Sequence, residues 1–373
     1  MIFRLLLGSI SIHFLLIVAS CQPSGKADEA MQSLTDSLYA AQPAMHGLLL
    51  SVSNHDSTLV FNAGWADSTD LVPLEKNTPV LLASITKMYM AAATLRLCEK
   101  YHLPLDTCIE FLLMPETDSL LRADGYATNR ITLGHLLNNT SGISDYTETR
   151  KYQEVTLQHP EHIWSRREQV YLAVSESKPM ADPGIMFHYS DLNFLLLGEL
   201  MEHFTQKPFY QSVRELLQFE NHGLRHTWWN ELEEAPDELP PLAKQYARSF
   251  AVDSWKLHPS FDLFGGGGIA ATARDLARFT EMLFQGAFFS KPETLSLLTK
   301  IASPLPAGYK GYRLGVMSWE KNGKQAFGHG GFWGAMAIYY PENKQAICVI
   351  PLERDYWSWA QDIAWKIHAE EIY

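Results

Sequence analysis

Two side chains that could perform nucleophilic catalysis lie one helical turn apart in the stretch Ser84-Ile-Thr-Lys87. This stretch begins a run to Cys98 that contains good helix formers, no Gly or Pro, and apolar residues on nearly every face. Spacing of i, i+3 places the Lys87 ammonium beside the Ser84 hydroxyl. A hydroxyl at a helix N-terminus also lies next to backbone N–H groups that have no intrahelical partner and could bind an oxyanion. The pattern therefore predicts a serine nucleophile activated by a lysine.

A structural role would explain the same four residues, with Ser84 as a helix N-cap and Lys87 as a lysine that extends its ammonium to solvent. Short motifs of this kind also occur by chance. A second copy, Ser318-Trp-Glu-Lys321, runs directly into Asn322-Gly323 and predicts a β-hairpin turn. The case for a catalytic site must therefore come from other parts of the chain.

Three further stretches have features of a ligand site. Pro183-Gly184 leads into Tyr189-Ser190-Asp191, which places a tyrosine just before a predicted helix. A glycine run, residues 265–268, precedes the capping box Thr272-Ala-Arg-Asp275. Residues 328–334, Gly-His-Gly-Gly-Phe-Trp-Gly, follow a predicted strand whose glycines would allow a ligand to approach the backbone. Each stretch taken alone is better explained by packing or turn formation.

Taken together and in this order, the stretches resemble the serine β-lactamase and penicillin-recognising DD-peptidase superfamily, specifically its class C-like branch. Residues 84–87 resemble the nucleophile motif, Tyr189-Ser190-Asp191 the Tyr-Ser-Asn motif, and His329-Gly330-Gly331 the Lys-Thr-Gly or His-Thr-Gly motif. Residues 132–142 and 268–279 also match text typical of the family. The resemblance extends over residues 47–350.

The resemblance implies acyl transfer in two steps. Ser84 would attack a carbonyl, Lys87 and Tyr189 would share the task of taking its proton, and the backbone N–H groups of Ser84 and Phe332 would form the oxyanion hole. Water would then release the acyl group. Because tyrosine normally titrates near pH ~10, Tyr189 could act as a base only if a nearby cation, here Lys87, lowered its pKa.

Two positions depart from the family pattern. Asp191 replaces the usual Asn, and could hold Lys87 protonated or point elsewhere. Gly330 replaces a hydroxyl residue that, in the family, helps to hold a substrate carboxylate. Without this hydroxyl, esters should be better substrates than β-lactams. The substitution Gly330→Thr should then raise the reactivity toward penicillins relative to esters. Asp191, His329, Gly330 and Gly331 are the expected substrate-binding residues, and His329 could supply a proton donor or a positive charge.

The predicted elements give an α/β (α+β) fold. Strands at both ends of the chain should form one antiparallel sheet flanked by helices, with an inserted, mainly helical lobe at about residues 99–300 of a hydrolase domain spanning 28–373. The elements expected are a helix from residue 28, a hairpin at 47–62, helices at 191–203, 209–219 and 276–284, strands at 312–319, 324–329, 335–340 and 345–350, and a final helix capped by Asp355.

The first twenty residues read as an export signal, with one basic residue, an apolar core and a small-residue end. Val18-Ala-Ser-Cys21 resembles a bacterial lipoprotein box, which predicts lipidation of Cys21, a tether at 21–27 and an exported protein anchored on the periplasmic or cell-surface side. The alternatives are an ordinary secretory signal and a membrane helix, although the segment is short and carries His13.

Composition narrows the remaining possibilities. A net charge of −12 without a basic run disfavours nucleic acid and anionic lipid as partners, and the cysteines besides Cys21 have no metal-type spacing. No cofactor or metal is expected, and the partner should be a small-molecule or peptide substrate. An α/β-hydrolase or a metallohydrolase is disfavoured because G-x-S-x-G and H-E-x-x-H are absent.

The function predicted is an exported serine hydrolase acting on a D-amino-acid cell-wall peptide, a β-lactam or an ester. The alternative is a non-catalytic binding protein with the same fold.

Overall fold

The computed structural model describes residues 25–55, 57–301 and 304–369. Within them the α-helices are α1 Gly25–Ala40, α2 Thr86–Tyr101, α3 Pro115–Ala123, α4 Leu133–Leu137, α5 Arg150–Gln158, α6 Arg166–Glu176, α7 Asp191–Thr205, α8 Phe209–Leu216, α9 Ala273–Phe284, α10 Pro292–Thr299 and α11 Trp357–Ala369. The strands are β1 Gly47–Asn54, β2 Ser57–Asp67, β3 Val72–Pro73, β4 Val80–Leu81, β5 Thr227–Trp229, β6 Tyr246–Ala247, β7 Val252–Asp253, β8 Ile269–Ala271, β9 Met317–Lys321, β10 Lys324–Gly330, β11 Met336–Tyr340 and β12 Gln345–Pro351.

The main sheet joins the two ends of the chain. Its strand order is β3-β2-β1-β12-β11-β10-β9, and every pairing is antiparallel. Leu50 at the centre of β1 lies opposite Phe61 on one side and Val349 on the other. The predicted fold class, an antiparallel sheet built from both chain ends with helices around it, is therefore confirmed.

Both faces of the sheet are covered, which explains why β1 is apolar almost throughout. Leu48 and Leu50 point into a core formed with α1 and α11, where Met31 is also fully buried. Leu49 belongs to the larger core on the opposite face. On that face Ser51 donates a hydrogen bond of 2.8 Å from its Oγ to the carbonyl of Ala273, at the start of α9.

Helix α2 lies within the large core, so it has almost no exposed face. The residues from Thr86 to Leu95 are all buried, and Tyr89 stacks on Phe279 of α9 with ring centroids 3.4 Å apart. Helices α7 and α8 pack along it. This enclosure accounts for the continuous apolar pattern of the helix and for the burial of Lys87.

Several local expectations can now be compared with the structure. Ser318 and Lys321 lie on β9, and Asn322 and Gly323 form the hairpin turn with φ of 54° and 76°, as the sequence predicted. Residues 312–316 form a turn instead of a strand, in which Arg313 N donates to Val316 O.

The start of the last helix also differs. Asp355 is not the N-cap of α11, because it lies within a 3₁₀ turn, Arg354–Tyr356, and its carboxylate binds the Ser249 hydroxyl.

The cysteines at positions 98, 108 and 348 are free. The division into a signal, a tether and a 28–373 domain stays a prediction, since residues 1–24 lie outside the described residues.

Candidate active site

The nucleophile turn is formed by a short 3₁₀ segment, Ala83–Ile85, that leads directly into α2. Ala83 has a φ of +45°, a left-handed conformation that costs a residue with a Cβ about 1–2 kcal/mol. Ala83 and Ile85 are buried, whereas Ser84 between them is partly exposed. The strained turn thus presents the Ser84 hydroxyl at the surface of a buried helix, and strain of this kind often occurs at functional sites.

Lys87 is fully buried and its ammonium group has three acceptors. Nζ lies 2.9 Å from Ser84 Oγ, 2.6 Å from the Gly266 carbonyl oxygen and 2.7 Å from Asp191 Oδ1. These acceptors match the three hydrogens of an ammonium group. Of the two orientations expected for Asp191, the structure shows the first: the carboxylate is directed at Lys87 and forms an ion pair with it.

Gly266 is placed by the glycine run before β8. A Cβ at this position would lie 2.8 Å from Asp191 Oδ2, so a larger residue would crowd the carboxylate that pairs with Lys87. The sequence of the glycine run, residues 265–268, predicts only a turn near a ligand. Its contribution in the structure is more specific, because it brings a backbone carbonyl to the Lys87 ammonium.

Tyr189 is held by the residues around the start of α7. Ser190 donates from its backbone N–H to Asn139 Oδ1 over 3.1 Å and from its hydroxyl to the Ser144 carbonyl over 3.1 Å. These bonds fix the chain so that the Tyr189 phenol lies beside Ser84 in the cavity wall and its ring centroid lies 5.0 Å from Lys87 Nζ.

The expected lowering of the Tyr189 pKa by Lys87 is wrong. Burial raises the pKa of Tyr189 well above its ordinary value, and the negative charge of Asp191 raises it further. Because Asp191 pairs with Lys87, the cation cannot stabilise a phenolate as an unpaired ammonium would. Tyr189 is therefore a neutral phenol at rest, which suits the donation of a proton better than its removal.

His329 lies on β10 and is fully buried. Its Nδ1 donates to the Gly330 carbonyl oxygen at 2.7 Å, and its Nε2 lies 3.3 Å from the Tyr312 hydroxyl. Burial, assisted by the charge of Lys87, lowers the pKa of His329 to about 3. The imidazole is therefore neutral, and the expectation that His329 could supply a positive charge is overturned.

The two glycines after His329 face opposite sides of the sheet. A Cβ at Gly331 would overlap the carbonyl oxygen of Leu82, so glycine allows the end of the strand to lie against the nucleophile turn. A Cβ at Gly330 would instead overlap the indole nitrogen of Trp357 on α11. A side chain at position 330 would therefore point into Trp357.

The expected oxyanion donors remain available. Phe332 follows the end of β10 in a turn in which Gly331 N donates to Ala335 O at 2.7 Å and Gly334 N donates to Gly331 O at 3.0 Å. Across the described ranges, neither the Ser84 N–H nor the Phe332 N–H donates a backbone hydrogen bond. Both residues line the same cavity, so their N–H groups can serve a ligand there.

That cavity has a volume of about 550 Å³ and contains Ser84, Tyr189, Asp191 and Phe332. The other lining residues were not singled out from the sequence: Asp145, Thr147, Glu148, Tyr152, Gln153, Thr156, Leu157, Phe250, Val252, Leu257, Phe261 and Asp262. Proximity to residues 132–142, which carry the family resemblance, could have drawn attention to Asp145. No pattern in the sequence marks Asp262, because its place in the cavity depends on the path of a long loop.

Other kinds of site find little support in the described part of the chain. No three His, Cys, Asp or Glu side chains there are grouped to hold a metal ion. No helix there is long and apolar enough to cross a membrane, and Cys21 lies outside the described residues.

Comparison with known proteins supports the sequence-based resemblance. Two curated relatives are penicillin-binding protein 4* of Bacillus subtilis, 22% identical over 73% of this chain, and the D-alanyl-D-alanine-carboxypeptidase/endopeptidase AmpH of Escherichia coli, 23% identical over 66% of it. The chain spans 59% of the length of each. A D-stereospecific amidohydrolase from Streptomyces sp. shares the fold, with a TM-score of 0.73, 24% identity and coverage of 90% of this chain and 95% of that one.

The family model described as Beta-lactamase matches residues 30–360, which include the nucleophile turn, the Tyr189 loop and the strand that carries His329. This match covers most of the chain and confirms the resemblance drawn from the motifs. The chain belongs to the Beta-lactamase family.

Proposed function

We propose that the protein is an exported serine hydrolase that forms an acyl-enzyme on Ser84 and hydrolyses an amide or ester of a D-amino-acid derivative. The observation that carries the proposal is the position of Lys87 Nζ, 2.9 Å from the Ser84 hydroxyl in the cavity wall and 2.7 Å from Asp191. A fully buried lysine that contacts an accessible hydroxyl is costly to maintain and has a direct use in activating that hydroxyl.

The reaction follows from these positions. Ser84 Oγ attacks the substrate carbonyl carbon, and its proton passes to Lys87 in the uncharged form, which Asp191 disfavours at rest. The N–H groups of Ser84 and Phe332 stabilise the oxyanion of the tetrahedral intermediate. When the C–N or C–O bond breaks, the neutral Tyr189 phenol donates a proton to the leaving group. The proton held by Lys87 then returns to the Tyr189 phenolate, which restores both groups. Water attacks the acyl ester and gives one proton to Lys87, and Lys87 passes this proton to Ser84 Oγ as the acid is released.

The charges of the described residues favour an uncharged or cationic D-amino-acid derivative over a β-lactam. Lys87 is fully engaged by its three acceptors and His329 is neutral, so neither provides a positive charge for the carboxylate of a penicillin. The names of the relatives, a D-alanyl-D-alanine-carboxypeptidase/endopeptidase and a D-stereospecific amidohydrolase, support substrates of D configuration.

The nucleophile can be tested with a fluorophosphonate, which labels activated serines. We expect a single covalent adduct by whole-protein mass spectrometry, mapping to Ser84 and absent from Ser84→Ala. Ser318→Ala is the matched control, because Ser318 belongs to the second S-x-x-K sequence but lies on the β9 hairpin. Labelling that persists in Ser84→Ala would show that another residue is the nucleophile. No labelling of the wild type would favour a non-catalytic binding protein with this fold.

Membrane anchoring through Cys21 is a separate part of the proposal and is supported by the Val-Ala-Ser-Cys21 sequence. We expect Cys21→Ala to abolish lipidation and to move the protein from the membrane fraction to the soluble fraction. Cys98→Ala, which changes a cysteine inside the folded domain, should remain with the membranes. If Cys21→Ala also stays there, the first twenty residues form a membrane helix instead.

A further inference from the structure

The cavity that contains Ser84 has several acidic groups and no free cation. Asp145, Glu148, Asp191 and Asp262 all line it, and no Lys, Arg or His side chain among the described residues does so. Lys87 lies behind the wall and pairs with Asp191. Two aspartates, Asp145 and Asp262, also face the cavity and form no ion pair with a described residue, and the only cation that acts on their pKa is the more distant Lys87.

Asp145 is 5% exposed and is held in a local turn. Its carboxylate accepts hydrogen bonds from the Thr147 backbone N–H at 3.1 Å and from the Thr147 hydroxyl at 2.7 Å. Both donors are neutral and belong to one residue. Burial, together with the charge of Asp191, raises the pKa of Asp145.

The Asp262 carboxylate has fewer hydrogen-bond partners than the Asp145 carboxylate. Its carboxylate has no hydrogen bond or ion pair with any other described residue. Gly267 makes room for it, since a Cβ at that position would overlap Asp262 Oδ2. Burial and the charge of Asp191 raise the pKa of Asp262 to about 7. Asp262 is partly exposed, so a ligand in the cavity can reach its carboxylate, and a bound cation would stabilise the charged form.

The surroundings indicate which cation would fit. The carboxylates are not grouped as metal ligands. Tyr152 and Phe261 lie in the same wall, joined by a 2.6 Å hydrogen bond from the Tyr152 hydroxyl to the Phe261 carbonyl, and Leu257 and Phe332 add further apolar surface. An organic ammonium group beside an apolar side chain satisfies both kinds of surface.

We infer that Asp145 and Asp262 form the binding site for a substrate ammonium group, so that the enzyme acts on amino-acid amides or esters whose amino group is free. The inference rests on the proposed function, because it places the ammonium group in the cavity where Ser84 attacks. It adds a requirement that acyl transfer alone does not impose.

Three methyl esters that share the 3-phenylpropionyl skeleton test the requirement: D-phenylalanine methyl ester, its N-acetyl derivative and methyl 3-phenylpropionate. The hydrolysis of each is followed by pH-stat titration. Charged hydrogen bonds are strong enough to predict that kcat/KM for the free amine exceeds that for the other two by about 10- to 100-fold. Equal rates for the three esters would overturn the ammonium site while leaving the hydrolase function intact.

Substitutions of the two aspartates test which residues cause the preference for a free amine. Asp262→Asn removes the charge with little change in shape, and we expect the ratio of kcat/KM for the free amine to that for methyl 3-phenylpropionate to fall about tenfold. Asp237→Asn, which changes an exposed aspartate outside the cavity, should keep the wild-type ratio. A wild-type ratio in both Asp262→Asn and Asp145→Asn would place the preference elsewhere and overturn the assignment.

A binding measurement separates this site from catalysis. In Ser84→Ala, titration calorimetry should show that 2-phenylethylammonium binds at least tenfold more tightly than 3-phenylpropionate, and Asp262→Asn should reduce that difference. This result is expected even if no ester is hydrolysed, a case in which the hydrolase proposal alone would fail. Equal binding of the two ions, or tighter binding of the carboxylate, would contradict the ammonium site.

Discussion

The two walls of the cavity have opposite electrostatic character. The wall formed by the inserted region carries carboxylates, with Asp145 and Asp262 facing the cavity and Asp191 paired to Lys87. The strand-edge wall carries no charge, since His329 is neutral and the next residue at the cavity surface is Phe332. The difference shows that the family scaffold is retained here while the charge presented to the substrate is negative.

This asymmetry limits the ligands that the cavity can accept. A substrate carboxylate would enter a region of negative potential without a cation to pair with, which disfavours its binding. A substrate ammonium would meet two carboxylates that form no ion pair with a described residue. Under the proposed ammonium site, the departures noted in the sequence, Asp191 and Gly330, would belong to one change, from recognition of an anion to recognition of a neutral or cationic group.

The largest effect should come from the charge that pairs with Lys87. Asp191→Asn leaves the Lys87 ammonium buried without an anion, and removing one partner of a buried pair costs about 3–5 kcal/mol of unfolding free energy. The same change favours the uncharged amine that accepts the Ser84 proton. We expect the acidic limb of the kcat/KM pH profile to move at least one unit to lower pH, with stability measured in parallel by urea denaturation.

A matched control for this variant is Glu281→Gln. Glu281 is another buried carboxylate, bound to Ser53 on the face of the sheet covered by α9, and it does not line the cavity. Its loss should lower stability but leave the acidic limb in place. An acidic limb that does not move in Asp191→Asn would mean that a group other than Lys87 accepts the proton.

The sequence predicted the parts of the site that depend on local spacing. Ser84 and Lys87 share one helical turn, so their contact follows from helix geometry, and Tyr189 comes just before a strongly apolar helix. The motif order also identified the family. Each of these signals is contained within a few consecutive residues.

Features that depend on distant segments could not be predicted. The raised pKa of Tyr189 reflects burial and Asp191, and both depend on how α7 packs on α2. Asp262 reaches the cavity through a loop with no periodic pattern, and Trp357 covers Gly330 only because α11 crosses that face of the sheet. Such contacts are set by tertiary packing, on which residue spacing carries no information.

A smaller effect, on stability, should show the cost of the acidic wall. The pKa of Asp262 is about 7 in the folded protein and about 4 in an unfolded chain, so between these values the folded state binds more protons. The contribution of Asp262 therefore becomes less favourable as pH rises from about 4 to about 7, and Asp145 acts in the same direction.

Asp262→Asn cannot ionise and should lose part of this pH dependence. We expect its free energy of unfolding to fall less than that of the wild type between pH 5 and pH 8, by on the order of 1–4 kcal/mol. Asp237→Asn, the exposed control, should follow the wild-type curve. Parallel curves for Asp262→Asn and the wild type would show that Asp262 is not destabilised by ionisation, and the contrast between the two walls would weaken.

The smallest effect concerns the strand-edge wall and corrects an expectation drawn from the sequence. Gly330→Thr alone should not create a carboxylate site, because the new Cβ would overlap the Trp357 indole and cost about 1–3 kcal/mol of stability. Gly330→Thr combined with Trp357→Ala relieves the overlap and exposes the hydroxyl. Acylation by a fluorescent penicillin should then rise only a fewfold relative to Trp357→Ala alone, because Asp145 and Asp262 remain. If the double variant instead reacts with penicillin a hundredfold faster, the strand edge alone determines selectivity and the acidic wall does not oppose a carboxylate.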